Sequence, residues 1–167
     1  MPCAFVAYHG GMTHEDWMRL AIETCRKGID AGQSPFGAVI VRGDDLVIAS
    51  HNLVWQNSDI TAHAEVSAIR AACQRLATIN LAGCRIYSTT EPCPMCFAAC
   101  HWARLDHIYF AASIPDANTF GFRELHISNQ QMKQLGGSKI AITPGLLAPE
   151  ARDLFTYWRQ KNLAPPY

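Results

Sequence analysis

The sequence predicts an α/β fold: a sheet, at least partly parallel, with helices on both faces. Two observations point there. Helix-like and strand-like patterns alternate in the order αββαβαβ…βα, the signature of strands joined by packing helices. The composition, 49% hydrophobic and 17% charged over 167 residues, is that of an ordinary globular chain with an ample core. No repeat, low-complexity tract or linker divides it, so residues 1–167 are expected to form a single domain. A chain of this length buries about two-thirds of its unfolded surface and needs no disulfide staples.

The elements follow from local pattern. Thr13 to Asp16 resembles a capping box, and Trp17, Leu20, Ala21 and Cys25 recur at helical spacing to about Ala31. Phe36 to Val41 and Leu46 to Ala49, around Gly43-Asp44-Asp45, read as a β-hairpin. His63 to Leu76 carries Ala64, Val66, Ala68, Ile69, Ala72 and Cys73 at helical positions, which puts His63 near a helix start. Ile86 to Thr89 is a strand. Pro92 is read as opening a helix from about Cys93 to Trp102, because a proline in the first turn loses no hydrogen bond. Ile108 to Ala112 is a strand, a mixed segment around Gly121 follows, then a strand over Lys139 to Ile142 and a helix from Pro149 to about Lys161.

Charge and cysteine content narrow the function classes. Fourteen basic and 14 acidic residues balance, and no basic run appears, which weighs against a large nucleic-acid footprint. No apolar stretch reaches the roughly 20 residues that span a bilayer. The apolar start MPCAFVAYHGGM lacks a charged leader and is not read as a signal peptide, so a cytoplasmic location is expected. Seven cysteines, at 3, 25, 73, 84, 93, 96 and 100, are an odd number without framework spacing and suit a reducing compartment.

The chemistry concentrates in two motifs. His63, Cys93 and Cys96 supply the N and S donors that zinc prefers, and a helix N-terminus favours the thiolate form. Three protein ligands leave a fourth position for water, as in catalytic rather than structural zinc. Cys100, one turn beyond Cys96, reaches the same ion only with difficulty. Glu65, two residues after His63, is placed to take a proton from that water without ligating the metal. Taken singly, Cys93-x-x-Cys96 also suits a redox or structural pair, and His63 an ordinary helix histidine. A redox reading leaves Glu65 unexplained.

His63-Ala64-Glu65 with Glu91-Pro92-Cys93-Pro94-Met95-Cys96 is a known signature of zinc nucleobase deaminases. At these residues the chain resembles the cytidine deaminase-like superfamily, in the branch holding bacterial guanine deaminases and tRNA adenosine deaminases. The likeness runs from roughly Asp16 to Phe122 and is expected to continue to the C-terminus. It implies a three-layer α/β/α fold around a mixed five-stranded sheet and one Zn2+ per chain with a bound water. Pro35 to Val41, Thr61 to Val66, and Cys93 to Cys96 through Trp102-Ala103-Arg104 look most like the guanine deaminase side.

By that resemblance Asn52 would hydrogen-bond the base, Phe36 and Trp102 would line or stack on it, and the Ala64 backbone would contact it. Phe36 and Trp102 also read as core residues, and Asn52 as a turn residue. Gly121 to Glu124 corresponds to a segment that carries an aspartate as second proton shuttle; here it is Glu124, whose extra methylene changes its reach. A solvated surface glutamate is the alternative. In bacterial guanine deaminases a C-terminal segment swaps between subunits and a terminal tyrosine closes the partner's site; this chain ends in Tyr167, after two prolines that favour an extended tail. Ile60 replaces the proline common before Thr-Ala-His.

The resulting expectation is a homodimeric aminohydrolase that converts guanine to xanthine and ammonia, with Glu65 and Glu124 catalytic. Deamination of adenosine in tRNA, or of another base, nucleoside or triazine, is the alternative. A silent zinc-stabilised interaction module is the reading from another class and predicts a fourth protein ligand.

Overall fold

A computed structural model of the chain describes residues 11–167. The apolar start read against a signal peptide, and Cys3 with it, lie outside the described residues apart from Gly11 and Met12.

Helix α1 (His14–Asp30) opens as the sequence suggests: Thr13 is the N-cap, and its hydroxyl and backbone N–H are reciprocated by Asp16. Its apolar stripe, with Trp17, Met18, Ala21, Cys25 and Ile29, is buried. Strands β1 (Gly37–Arg42) and β2 (Asp45–His51) pair antiparallel as the expected hairpin. A short helix, α2 (Val54–Asn57), then leads to α3 (Ala64–Leu76), with His63 as its N-cap. Strand β3 (Cys84–Thr90) is followed by α4 (Pro94–Trp102), capped by Cys93. The proline that opens α4 is Pro94, not Pro92. Pro92 stays in the loop, and Cys93 keeps the extended conformation of a cap.

Strand β4 (His107–Ala112) precedes two helices, α5 (Ile114–Asn118) and α6 (Asn129–Gly136), where a mixed segment was expected. Each starts with its own capping box, Ser113 with Asp116 and Ser128 with Gln131. These are too short for a clear 3.6-residue period, so their caps are their main sequence signal. Strand β5 (Ala141–Thr143) is shorter and later than expected, and α7 (Ala148–Lys161) closes the fold.

The sheet order is β2-β1-β3-β4-β5. β1 is antiparallel to both β2 and β3, while β3-β4 and β4-β5 are parallel. Helices α1 and α7 pack together on one face, and α3 and α4 pack together on the other, with α6 beside α4. The mixed five-stranded sheet with helices on both sides is thus as expected. β1, β3 and β4 are covered on both faces and buried along nearly their whole length, β1 and β4 as almost continuous apolar runs, whereas β2 at the edge is only half-buried. Fully buried Trp17, Met18, Ile29, Ile40, Ile86, Ile108 and Phe155 anchor the core, each worth about 1.5–3 kcal/mol of burial.

Candidate active site

The site lies beyond the C-terminal end of β3, where the first turns of α3 and α4 face each other. On the α3 side, the Asp59 carboxylate accepts from the Thr61 backbone N–H (2.8 Å) and hydroxyl (2.6 Å), and the Ala62 carbonyl accepts from Leu53 N–H (2.9 Å). This loop delivers His63 to the helix start. On the α4 side, the cap position presents Cys93 and the third helical position presents Cys96.

The three side chains converge. His63 Nδ1 lies 3.7 Å from Cys93 Sγ and 3.5 Å from Cys96 Sγ, and all three donor atoms lie within 4.8 Å of one another. Tetrahedral zinc, with its usual Zn–S and Zn–N bonds, sets sulfur and nitrogen about 3.6 Å apart. The donor set therefore fits zinc in spacing as well as in chemistry. The hydrogen bond from the Cys96 thiol lowers the pKa of Cys93 to about 4, while Cys96, giving that bond in a buried place, is held well above its ordinary value. One thiolate forms readily, and a second beside it requires a cation.

Glu65 is 4% exposed. Its Oε1 accepts from the Ser88 hydroxyl at 2.8 Å, and its Oε2 lies 3.5 Å from Cys96 Sγ. Burial raises its pKa against the opposing influence of His63. Ser88 escaped the sequence reading; the run of small hydroxyl residues Ser88-Thr89-Thr90 at the end of a buried strand was the available signal. Burial acts against charge on His63 too, but its hydrogen bond with Cys93 and the nearby carboxylates leave its pKa raised.

Next to the donors is a cavity of about 300 Å³ lined by Ile60, His63, Cys93, Pro94, Met95, Arg123, Glu124, Leu125 and Tyr167. Glu124 thus shares the pocket with the ligand residues rather than standing as a solvated surface glutamate, and burial, with the charge of Cys93, pushes its pKa up to about 7. Tyr167 also enters the pocket of its own chain. Its hydroxyl accepts from Asn52 Nδ2 at 2.6 Å, its ring lies 5.7 Å from that of His63 and 5.5 Å from that of Phe122, and its carbonyl accepts from Arg123 N–H at 3.0 Å. Asn52 is fully buried, with its Oδ1 accepting from Val54 N–H. Ala64, also buried, is the first residue of α3, where geometry leaves the backbone N–H without an intrahelical acceptor.

Two residues are placed differently from the expectation. Phe36 packs edge-on against Phe122 (centroids 4.8 Å) and Phe155 (5.9 Å), one ring behind Tyr167, so it supports the wall instead of forming it. Trp102 is on the last turn of α4, about 9 Å along the axis from Cys96, and is 82% exposed. Within one chain it does not reach the pocket, because the ligand residues occupy the opposite end of the same helix.

A histidine and two cysteines at zinc-ligand spacing, a buried carboxylate beside them and an α/β/α sandwich define a zinc-dependent aminohydrolase. The chain belongs to the family described as the cytidine and deoxycytidylate deaminase zinc-binding region, whose model matches residues 12–112. It is 42% identical over 117 residues to a guanine deaminase of Bacillus subtilis, covering 70% of this chain and 75% of that one. It is 39% identical over 101 residues to a tRNA-specific adenosine deaminase of Aquifex aeolicus, covering 60% and 67%. The solved guanine deaminase from Nitrosomonas europaea superposes with a TM-score of 0.82 at 29% identity, over 89% of this chain and 85% of that one.

Proposed function

We propose that this protein hydrolyses guanine to xanthine and ammonia. The observation that carries this is the small pocket in which Glu124 lies beside His63 and Cys93 under Tyr167, with the buried Glu65 carboxylate 3.5 Å from Cys96 Sγ next to it. Its volume, at the low end of small-molecule sites, suits a free base. The guanine deaminase likenesses point the same way.

His63, Cys93 and Cys96 would hold one zinc per chain, which supplies a water acidified enough to attack at neutral pH. The remaining steps belong to the chain's own side chains. Glu65 takes a proton from the attacking water as its oxygen bonds to C2 of the ring, and passes that proton to the adjacent ring nitrogen. Glu124 then gives a proton to the C2 amine and recovers one from the new hydroxyl. The C–N bond breaks, the carbonyl forms and ammonia leaves, so water and guanine are fully accounted for. Ser88 holds the Glu65 carboxylate in place. Asn52 and the Ala64 N–H orient the base, which takes over the Asn52 amide from the Tyr167 hydroxyl as it enters.

The same reading makes the chain one deaminase domain that works as a homodimer in the cytoplasm; with the C-terminal helix and tail exchanged between subunits, each Tyr167 would take in its partner's pocket the place it takes here in its own. Exposed Ile60, Met95 and Trp102 along the α3–α4 face are the apolar surface a second copy would cover, and pairing there is how Trp102 would serve a site. The described cysteines are free thiols, in keeping with a reducing compartment. No described helix is long and apolar enough to cross a membrane.

The test is ammonia release by zinc-loaded protein across guanine, guanosine, adenine, cytosine, a triazine and tRNA. Release from guanine is expected, with little dependence on salt. Activity on tRNA alone, weakening steeply with salt, would overturn the substrate.

A further inference from the structure

Glu91 is a buried carboxylate, 8% exposed, two residues before Cys93. Its Oε1 accepts from Asn129 N–H at 2.8 Å and its Oε2 from Ile114 N–H at 3.3 Å. Those two residues occupy the same position, the first of their helix, in α6 and α5. In each helix the capping box serves the cap and third-residue N–H groups and leaves the first to Glu91. Buried N–H groups left without acceptors would lose their hydration with nothing in return. Two further bonds hold the ends of this arrangement: the Glu91 N–H donates to the Ala112 carbonyl at 2.8 Å, and Asn129 Nδ2 donates to the Pro92 carbonyl.

Between Ile114 and Asn129 runs the segment that carries Arg123, Glu124 and Leu125 into the pocket. One carboxylate therefore grips both ends of the Glu124 segment and belongs to the loop that presents Cys93. We propose that Glu91 is a positioning residue: it fixes the Cys93 loop and the Glu124 segment in one frame, so that the metal ligand and the second proton-carrying carboxylate keep their separation. This rests on the deaminase reading above for the role of Glu124, and on the hydrogen bonds alone for the hold on Cys93.

The experiment compares full-length, zinc-loaded Glu91→Gln with wild type and with Met18→Ala, a core variant in α1 on the other face of the sheet that lowers stability without touching this network. Glutamine keeps the shape but turns one accepting oxygen into a donor facing an N–H. Zinc release to a chelator is expected to be about tenfold faster in Glu91→Gln, with kcat down by a similar factor and KM nearly unchanged, while Met18→Ala releases zinc at the wild-type rate. Asn129→Leu, which removes only the bond to Pro92, should accelerate release in the same direction by less, and it decides the matter if Glu91→Gln does not fold. Zinc release no faster than in Met18→Ala would overturn the proposal whatever the substrate. Ammonia release by the wild-type protein decides the substrate reading separately.

Discussion

The proposed proton transfer by Glu65 suits its two oxygens, which have different neighbours: Ser88 fixes one, and the other lies toward Cys96. Glu65→Gln keeps the hydrogen bond from Ser88 and loses the base. Zinc content by elemental analysis should therefore stay at one per chain while kcat falls about 10²–10⁴-fold. Cys93→Ala removes a ligand, so the same measurement should show zinc lost, and activity with it. Tyr167→Phe deletes the hydroxyl that holds Asn52 and keeps the ring against His63 and Phe122. Steady-state kinetics on guanine should show KM shifted by less than about tenfold, the scale of one neutral hydrogen bond.

At the scale of elements, the site depends on contacts that hold helices against strands. Gly37 begins β1 directly under α1: a Cβ there would lie 2.6 Å from the Ala21 carbonyl oxygen and 2.8 Å from Cys25 Cβ, and its N–H donates to the buried Thr89 hydroxyl near the end of β3. Gly37→Ala should cost about 1–3 kcal/mol in urea unfolding, since neither backbone can yield freely. The capping box of α5 gives a pH signature. Burial by itself would raise the Asp116 carboxyl, but hydrogen bonds from the Ser113 N–H and hydroxyl, with Arg152 nearby, outweigh it and hold the pKa below its ordinary value. Its stabilising contribution is thus complete above the unfolded value near about 4 and is lost as pH falls through the lower folded one. The stability gap between wild type and Asp116→Asn should be constant from pH 7 to about 5 and close at lower pH, while Ser113→Ala should cost about 1 kcal/mol at neutral pH.

For the whole molecule, three candidate ligands drawn from the starts of two helices would make metal binding part of folding. Zinc in solution at about 1,000 times its dissociation constant adds about 4 kcal/mol. Chelation should lower the melting temperature in a scan and restored zinc should recover it. Much of the architecture was legible beforehand: α1 from Thr13 and Asp16, the hairpin from its glycine-aspartate turn, α3 from apolar spacing and α4 from a proline in its first turn. The misses have physical causes. α5 and α6 are short helices known mainly by their caps, and β5 has three half-buried residues with no alternation to read. Pro92 and Pro94 both suit a helix start, and only the backbone path shows that the later one takes it.

By itself the sequence singled out the candidate ligand set and the candidate general base, because metal and proton chemistry demand particular atoms at particular spacings: a histidine two residues before a glutamate at one helix start, and two cysteines three apart at another. Tertiary structure alone decided what surrounds them. Phe36 went behind the wall and Trp102 to the surface, while Glu124 and Tyr167, distant in the chain, came to one pocket, with Asn52 bonded to Tyr167, Ser88 to Glu65, and Glu91 to the start of α6. Contacts among residues so far apart in the chain depend on how helices pack across a sheet, and local spacing carries no record of that.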